Sequence, residues 1–410
     1  CKIQSCTQSK QIGTLPCSTI YAAISRKGDY NLYKSTDAGA TWAPVEDAPK
    51  GLMVQRMKYN GDGKIVLTYA STEGPWNNPR GNGGIRLLNI ADDSITDITP
   101  EKNGYGDVVI DPANPDRMVA VTENVYDKQA NGTFGDDFYV TTDGGKTWKN
   151  INLDMTMSGG DVSWHNESSM HWCSSLAIDP HNTGKIMVVS GNGIFSCDNI
   201  WDEHPAFYFF AEGIEETVPY ELVSIPGGEL VTVVGDYDGF TQADAAEFGT
   251  RHSSNAGSMT GLAVAAANTD VWVKAANSDT GNDFWYSEDR GVTWSNKVTA
   301  PVSGQNGHGG SVAISADGST FYWAPDNMAF VFWSDDKGKT WNQSEGGLSA
   351  KRLIADPVNP DYLYAASGST FYYSDDRGKT FTANSDLSVF TSTRPVVEAG
   401  GEGKIYYPAM

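Results

Sequence analysis

The 410-residue chain reads as an all-β protein built as a β-propeller, and three observations predict this. The first is a pattern of eight residues, Ser/Thr-x-Asp-x-Gly-x-Thr-Trp/Phe. It occurs five times: at Ser35 to Trp42, Thr141 to Trp148, Ser287 to Trp294, Ser334 to Trp341 and Ser374 to Phe381. The aspartate can accept N–H bonds within its own turn, the glycine takes a conformation a side chain disfavours, and the aromatic returns to the core. Each copy is thus a hairpin turn that fastens itself. The second observation is spacing. The copies start 106, 146, 47 and 40 residues apart, and a blade takes about 40–50 residues, so the first gap holds one further blade and the second gap two. The third is composition: 44 Gly, 19 Tyr, 12 Trp and 15 Phe with only 20% charged residues suit short strands, tight turns and aromatic packing.

Along the chain, turn signals alternate with apolar runs. Asn60-Gly61-Asp62-Gly63 precedes the strand Lys64–Tyr69. Ile110-Asp111-Pro112-Ala113-Asn114-Pro115, Ile178-Asp179-Pro180-His181-Asn182 and Ala355-Asp356-Pro357-Val358-Asn359-Pro360 each end one strand and begin the next, as does Ala316-Asp317-Gly318. Lys185–Ser190, Glu229–Val234 and Thr320–Trp323 are the matching second strands. The total is about eight blades plus a partial one from Pro395 to Met410. Gln242 to Phe248 is the only stretch with helical character. Met155 to Trp172 lacks strand alternation and reads as a junction, which divides the chain into blades at 1–172 and blades at 173–410.

A formal charge of −22 speaks against nucleic acid and anionic membranes as partners, whereas a neutral polysaccharide is indifferent to it. No apolar run approaches the ~18–20 residues of a membrane span. A chain that opens on Cys1 suits either a trimmed mature form or a lipidated terminus. Cys1, Cys6 and Cys17 cluster, and Cys173 with Cys197 sits near the ends of neighbouring strands, where either a disulfide or two buried thiols would fit. Neither group has metal-ligand spacing, and no metal or cofactor is expected.

Segments between the repeats carry a more specific resemblance. Glu212-Gly213-Ile214-Glu215-Glu216-Thr217, followed by Gly235-Asp236-Tyr237-Asp238-Gly239-Phe240, is similar to a GIEET stretch and a G-D-x-G-G-F segment of glycoside hydrolase family 74. Leu67 to Trp76, Gly104-Tyr105-Gly106 and Trp172 to Pro180 match in the same order, so the resemblance runs from about Thr19 to Gly403. It implies parts of two tandem seven-bladed propellers and a secreted enzyme that cleaves β-1,4-glucan linkages of xyloglucan or a related plant glucan. The chain matches the middle of such an enzyme, with the missing blades supplied elsewhere. Two departures stand out: the early D-V-G-G-type segment that carries the family's second carboxylate has no counterpart, and Val125 to Gly135 lacks a W-W-P-type cluster.

Inverting glycosidases use two carboxylates, an acid for the leaving oxygen and a base for water. The resemblance assigns Asp236 as the acid. Its place just past the apolar strand Leu230–Val234 predicts partial burial, which would favour the protonated form. By itself the spacing fits a turn-capping aspartate equally well. Asp238 stands where the family tends to have glycine, and either perturbs Asp236 or faces solvent. Glu215 or Glu216 would support the site or serve only structure. Sugar rings stack on aromatic planes, so Trp76, Trp164, Trp172, Tyr237 and Phe240 are the candidate substrate contacts, while Trp42, Trp148, Trp294 and Trp341 of the repeats are expected in the core. The competing reading is a propeller without chemistry that binds glycan or protein. A sialidase is disfavoured, because no cluster of three arginines is recognisable.

Overall fold

The computed structural model describes residues 18–24, 26–71, 82–123, 127–128, 132, 134–165, 169–278, 281, 283–350, 352–390 and 395–407. No described residue is helical, and Gln242 to Phe248 closes as a strand end and turns. Among the described residues the strands form eight blades, antiparallel and in sequence order from the inner strand outward apart from one strand added to the fourth. The inner strands are Ile20–Ala23, Leu52–Tyr59, Tyr105–Ile110, Ser175–Ile178, Pro219–Ser224, Met259–Val264, Ser311–Ile314 and Arg352–Ala355. A two-stranded piece, Val396–Val397 with Ile405–Tyr406, follows the eighth blade.

The chain divides into two compact units, Cys1–Glu216 and Thr217–Met410, with four blades in the first and four blades plus the partial one in the second. The division therefore falls well after Trp172. The sheet that follows Trp172 stays with the first unit because it shares a core with the third blade: Val109, Val121 and Phe138 pack with Leu176, Val188, Phe195 and Phe209. The expected junction also contributes a strand. Thr156–Ser158 pairs in parallel with Ala206–Phe209 and adds a fifth strand to the fourth blade.

Cys173 and Cys197 are free, buried thiols in that same core, which corrects the expected disulfide. Register explains it. Ser175 lies opposite Val189, whereas Ile186 lies opposite both Ile178 and Cys197, so the two cysteines sit at opposite ends of the sheet. Cys1, Cys6 and Cys17 lie outside the described residues.

The five repeats share one hydrogen-bond pattern. In the first, Thr41 donates from its backbone N to Asp37 Oδ1 (2.8 Å) and from Oγ1 to Oδ2 (2.6 Å), Ser35 Oγ donates to Oδ1, and Gly39 N donates to Ser35 Oγ. Asp143, Asp289, Asp336 and Asp376 repeat it. These bonds to the ionised form hold all five carboxyls below the usual range. Each turn also needs two successive left-handed residues: the glycine and the residue before it, where Ala38, Arg290, Lys337 and Arg377 have φ of 59–62°.

The aromatic of each later repeat packs on the preceding blade. Trp148 Nε1 donates to Ile98 O of the second blade (2.7 Å). Trp294 lies 5.2 Å from the His252 ring at the end of the fifth blade, and Trp341 meets Phe284 of the sixth at 5.1 Å. Phe381 joins the core of the seventh blade. These rings are half-buried rather than fully core. Trp42 departs further: it is 39% exposed, bonds only its own turn through Gly39 O, and lines an open groove of about 470 Å³ with Lys34, Asp47, Asp92 and Asp93.

Ser334 is fully buried and bonds both Asp336 and the Gly338 amide. Ser334→Ala leaves that amide without its acceptor and should cost about 1–3 kcal/mol, read as a lower denaturant midpoint at unchanged slope.

Candidate functional site

Asp236 occupies the turn between the second and third strands of the fifth blade, Leu230–Val234 and Gly239–Gln242. Two residues of this turn, Asp236 (φ +64°) and Asp238 (φ +63°), are left-handed without being glycine. Tyr237 N donates to Gly235 O and Gly239 N to Tyr237 O, both at 2.8 Å, so each aspartate is the centre of a γ-turn with positive φ. Such turns are rare and strained. Gly239 is required here for a different reason: a Cβ would lie 2.2 Å from Thr232 O.

The carboxylates of the two aspartates point to different surroundings. Asp236 is exposed, in place of the partial burial expected from its strand-end position. Ser258 fixes it twice: the Asp236 backbone N donates to Ser258 Oγ (3.1 Å), and that hydroxyl donates to Asp236 Oδ1 (3.0 Å). Asp238 is fully buried. Its Oδ1 accepts from Ser254 Oγ (3.0 Å) and Ala256 N (2.9 Å), and its own N donates to Gly257 O (3.0 Å). The loop 252–258 thus grips the turn from behind.

Beneath that loop lies a buried basic group that sequence reasoning missed. Lys274 comes from the second strand of the sixth blade, Trp272–Ala276, and is fully buried. Its Nζ donates to Ser254 Oγ (2.7 Å), lies 3.4 Å from His252 Nδ1, and sits 3.9 Å from the centre of the Trp294 ring. Burial pushes the Lys274 ammonium down to about 7, against the opposing pull of Asp238. Burial and the nearby Lys274 push His252 down to about 2. A neutral His252 that accepts from Lys274 at Nδ1 carries its proton on Nε2, which faces Thr241 Oγ1 at 3.1 Å. A lysine in the middle of the apolar run Trp272-Val273-Lys274-Ala275-Ala276 was the available clue.

The aromatic candidates separate. Trp172 is 57% exposed with a left-handed backbone (φ 55°), and His171 meets it edge-on. Trp164 is half-buried and packs on the core of the first unit near Phe209. Tyr237 and Phe240 are 7% and 8% exposed, so neither presents an open ring face. Instead, the Arg251 guanidinium lies 5.1 Å from the Tyr237 ring centre. Trp76 lies outside the described residues. Glu215 accepts from Gly213 N and serves its own turn.

The first unit holds its own buried carboxylates. Asp107 Oδ2 accepts from Leu176 N (2.9 Å) with Lys58 Nζ at 3.4 Å, and Asp136 accepts from Thr122 Oγ1 (2.8 Å) and Cys173 N (2.9 Å). Glu123, 6% exposed, is pushed up to about 7, first by burial and also by Asp136, with Arg56 opposing. Among the described residues, no cluster of histidine, cysteine and carboxylate side chains is arranged to hold a metal.

Comparison with known proteins follows the same lines. The BNR/Asp-box repeat family matches residues 139–150. The xyloglucanase Xgh74A of Acetivibrio thermocellus is 29% identical over 96% of this chain, which covers 50% of that protein. A xyloglucanase from a Paenibacillus species is 28% identical over 97% of the chain and 42% of its own length. The chain therefore spans about half the length of the curated relatives it matches, or somewhat less. Among solved structures, the GH74 enzyme of Niastella koreensis superposes with a TM-score of 0.77 at 32% identity, covering 91% of this chain and 54% of that one. The GH74 xyloglucanase of Xanthomonas campestris gives 0.78 at 27% identity, covering 96% and 58%.

Lys274 has a consequence for stability. Below pH about 7 both folded and unfolded chains hold its proton; between there and its unfolded value near 10.4 only the unfolded chain does, so its contribution rises with pH. The slope approaches about 1.4 kcal/mol per pH unit. Denaturant titrations from pH 7 to 10 should show this rise in the wild type and a flatter curve in Lys274→Met.

Proposed function

For a chain related along nearly its whole length to the GH74 enzymes, we propose that it carries the catalytic half-site of a secreted glycoside hydrolase. The substrate class is xyloglucan or a related plant β-glucan, cleaved at β-1,4 linkages by an inverting acid/base mechanism. Its eight blades then belong to two tandem propellers, with the remaining blades contributed by further polypeptide. A polymer of this size is attacked outside the cell, which supports secretion.

The observation that carries the reading is the presentation of Asp236. It stands exposed at a rigid turn, with one carboxylate oxygen held by Ser258 and Oδ2 left for proton transfer. A glucan chain lying over Asp236 displaces water from it, and desolvation favours the neutral acid that a departing glycosidic oxygen needs. Water then attacks the anomeric carbon from the opposite face, activated by a second carboxylate. On the first unit, taken by itself, the exposed ring of Trp172 suits the apolar face of a sugar.

The test uses the complete polypeptide. Asp236→Asn keeps the turn's hydrogen bonds and removes the acid, so turnover of xyloglucan should fall by about 10²- to 10⁴-fold with binding retained. Full activity in this variant removes Asp236 from the mechanism. A wild type that binds glucan and releases no oligosaccharide favours a binding propeller.

A further inference from the structure

The strained turn that presents Asp236 does not hold itself. Two consecutive γ-turns with positive φ centre on Asp236 and Asp238, and at a residue with a side chain this conformation is costly. Glycine is the residue at ease in such a turn. This chain has a buried aspartate instead, so something must compensate. The structure shows a continuous chain of hydrogen bonds: Lys274 Nζ donates to Ser254 Oγ (2.7 Å), and Ser254 Oγ donates to Asp238 Oδ1 (3.0 Å). Asp238 Oδ2 is buried and has no hydrogen-bond partner. Its other oxygen is held by Ser254 Oγ and Ala256 N, and Ser254 links that carboxyl to the base Lys274.

We propose that Asp238, Ser254 and Lys274 are positioning residues that hold the double γ-turn in the geometry that presents Asp236. The chain crosses from one blade to the next: Asp238 and Ser254 belong to the fifth blade and its outgoing loop, and Lys274 to a central strand of the sixth. The placement of the acid is in this way set by a side chain that does not itself bond Asp236. Removing Asp238's carboxylate leaves Lys274 buried against Ser254, His252 and the Trp294 ring with no carboxylate near it, and removing Lys274 leaves the buried Asp238 carboxylate with Ser254 Oγ and Ala256 N but no basic group beyond them. Either change loosens the turn. Removing both together, with glycine at 238, eliminates the unfavourable backbone and both buried ionisable groups at once.

This inference rests on the reading of Asp236 as the general acid, and the experiment separates the two. In the complete polypeptide, Asp238→Asn and Lys274→Met should each lower kcat on xyloglucan by about 10- to 100-fold, the scale of an ångström's misplacement. KM should barely change, with measurements made well below each variant's melting temperature. The double variant Asp238→Gly/Lys274→Met should recover most of the lost kcat, a non-additivity expected only of partners in one network. Single variants that melt lower yet keep the wild-type kcat, or a double variant whose losses simply add, overturn the proposal. Backbone amide exchange at Tyr237 and Gly239 gives a readout independent of activity: faster exchange in both single variants and recovery in the double support the network, and unchanged exchange refutes it. If Asp236→Asn is fully active, the catalytic reading fails while the exchange data still decide whether the network holds the turn. If Asp236→Asn is inactive and Asp238→Asn is not, the positioning role alone fails.

Discussion

The contact on which the architecture depends is the one each aspartate turn after the first makes with the blade before it. A four-stranded blade cannot bury its faces alone, so its stability comes from its neighbours. In this chain those turns deliver an aromatic side chain to the preceding blade, and the last three deliver a cation as well. The aromatic goes into the core between blades, as Trp341 does against Phe284. In the last three turns the left-handed residue before the glycine adds a cation: Arg290 reaches Glu229, Lys337 reaches Glu288, and Arg377 reaches Asp317 at 3.0 Å. A left-handed arginine costs about 1–2 kcal/mol relative to its usual conformation. The bonds that Ser287 and Asp289 make to the turn amides fix it there. The exposed ion pairs add little individually; the buried ring and the satisfied amides supply most of the attachment.

Much of this was legible in the sequence. The aspartate turns, the blade count and the second strands follow from spacing and turn chemistry, because those are local and repeat. What was not legible depended on contacts distant in sequence. The division after Glu216 arises from a core that joins Val109 to Phe209, and the parallel strand Thr156–Ser158 depends on Ala206–Phe209. No local pattern encodes either pairing. Trp42 shows the same limit in reverse: its motif is intact, and its burial differs because burial belongs to the neighbouring surface rather than to the motif.

The candidate site was half legible. Asp236 and the unusual Asp238 are visible as types, and the glycine at 239 as a need for space. The exposure of Asp236 was not foreseen, because a strand-end position says nothing of which way a γ-turn points. Tyr237 and Phe240 were read as ring platforms from proximity alone, yet both are buried, Tyr237 within the turn and Phe240 in the strand that follows it. Lys274 shows how a residue inconsistent with its strand can mark function. A fully buried lysine is tolerated only where partners are arranged for it, and Ser254 and His252 sit in the loop that grips the Asp236 turn.

The direction of the blade contacts matters for how the chain reaches this state. Each turn is completed within eight residues, but from the second copy on its ring needs a blade that was made earlier. Each of these rings thus docks on a surface already synthesised, so order can propagate from the N-terminal side as the polypeptide emerges. The second, fourth and fifth blades lack the turn, and the fourth instead attaches through Asp136 to Cys173 N and Asp107 to Leu176 N. Those two backbone clamps span 37 and 69 residues, so the fourth blade can fasten to the third only once the whole segment between them has emerged.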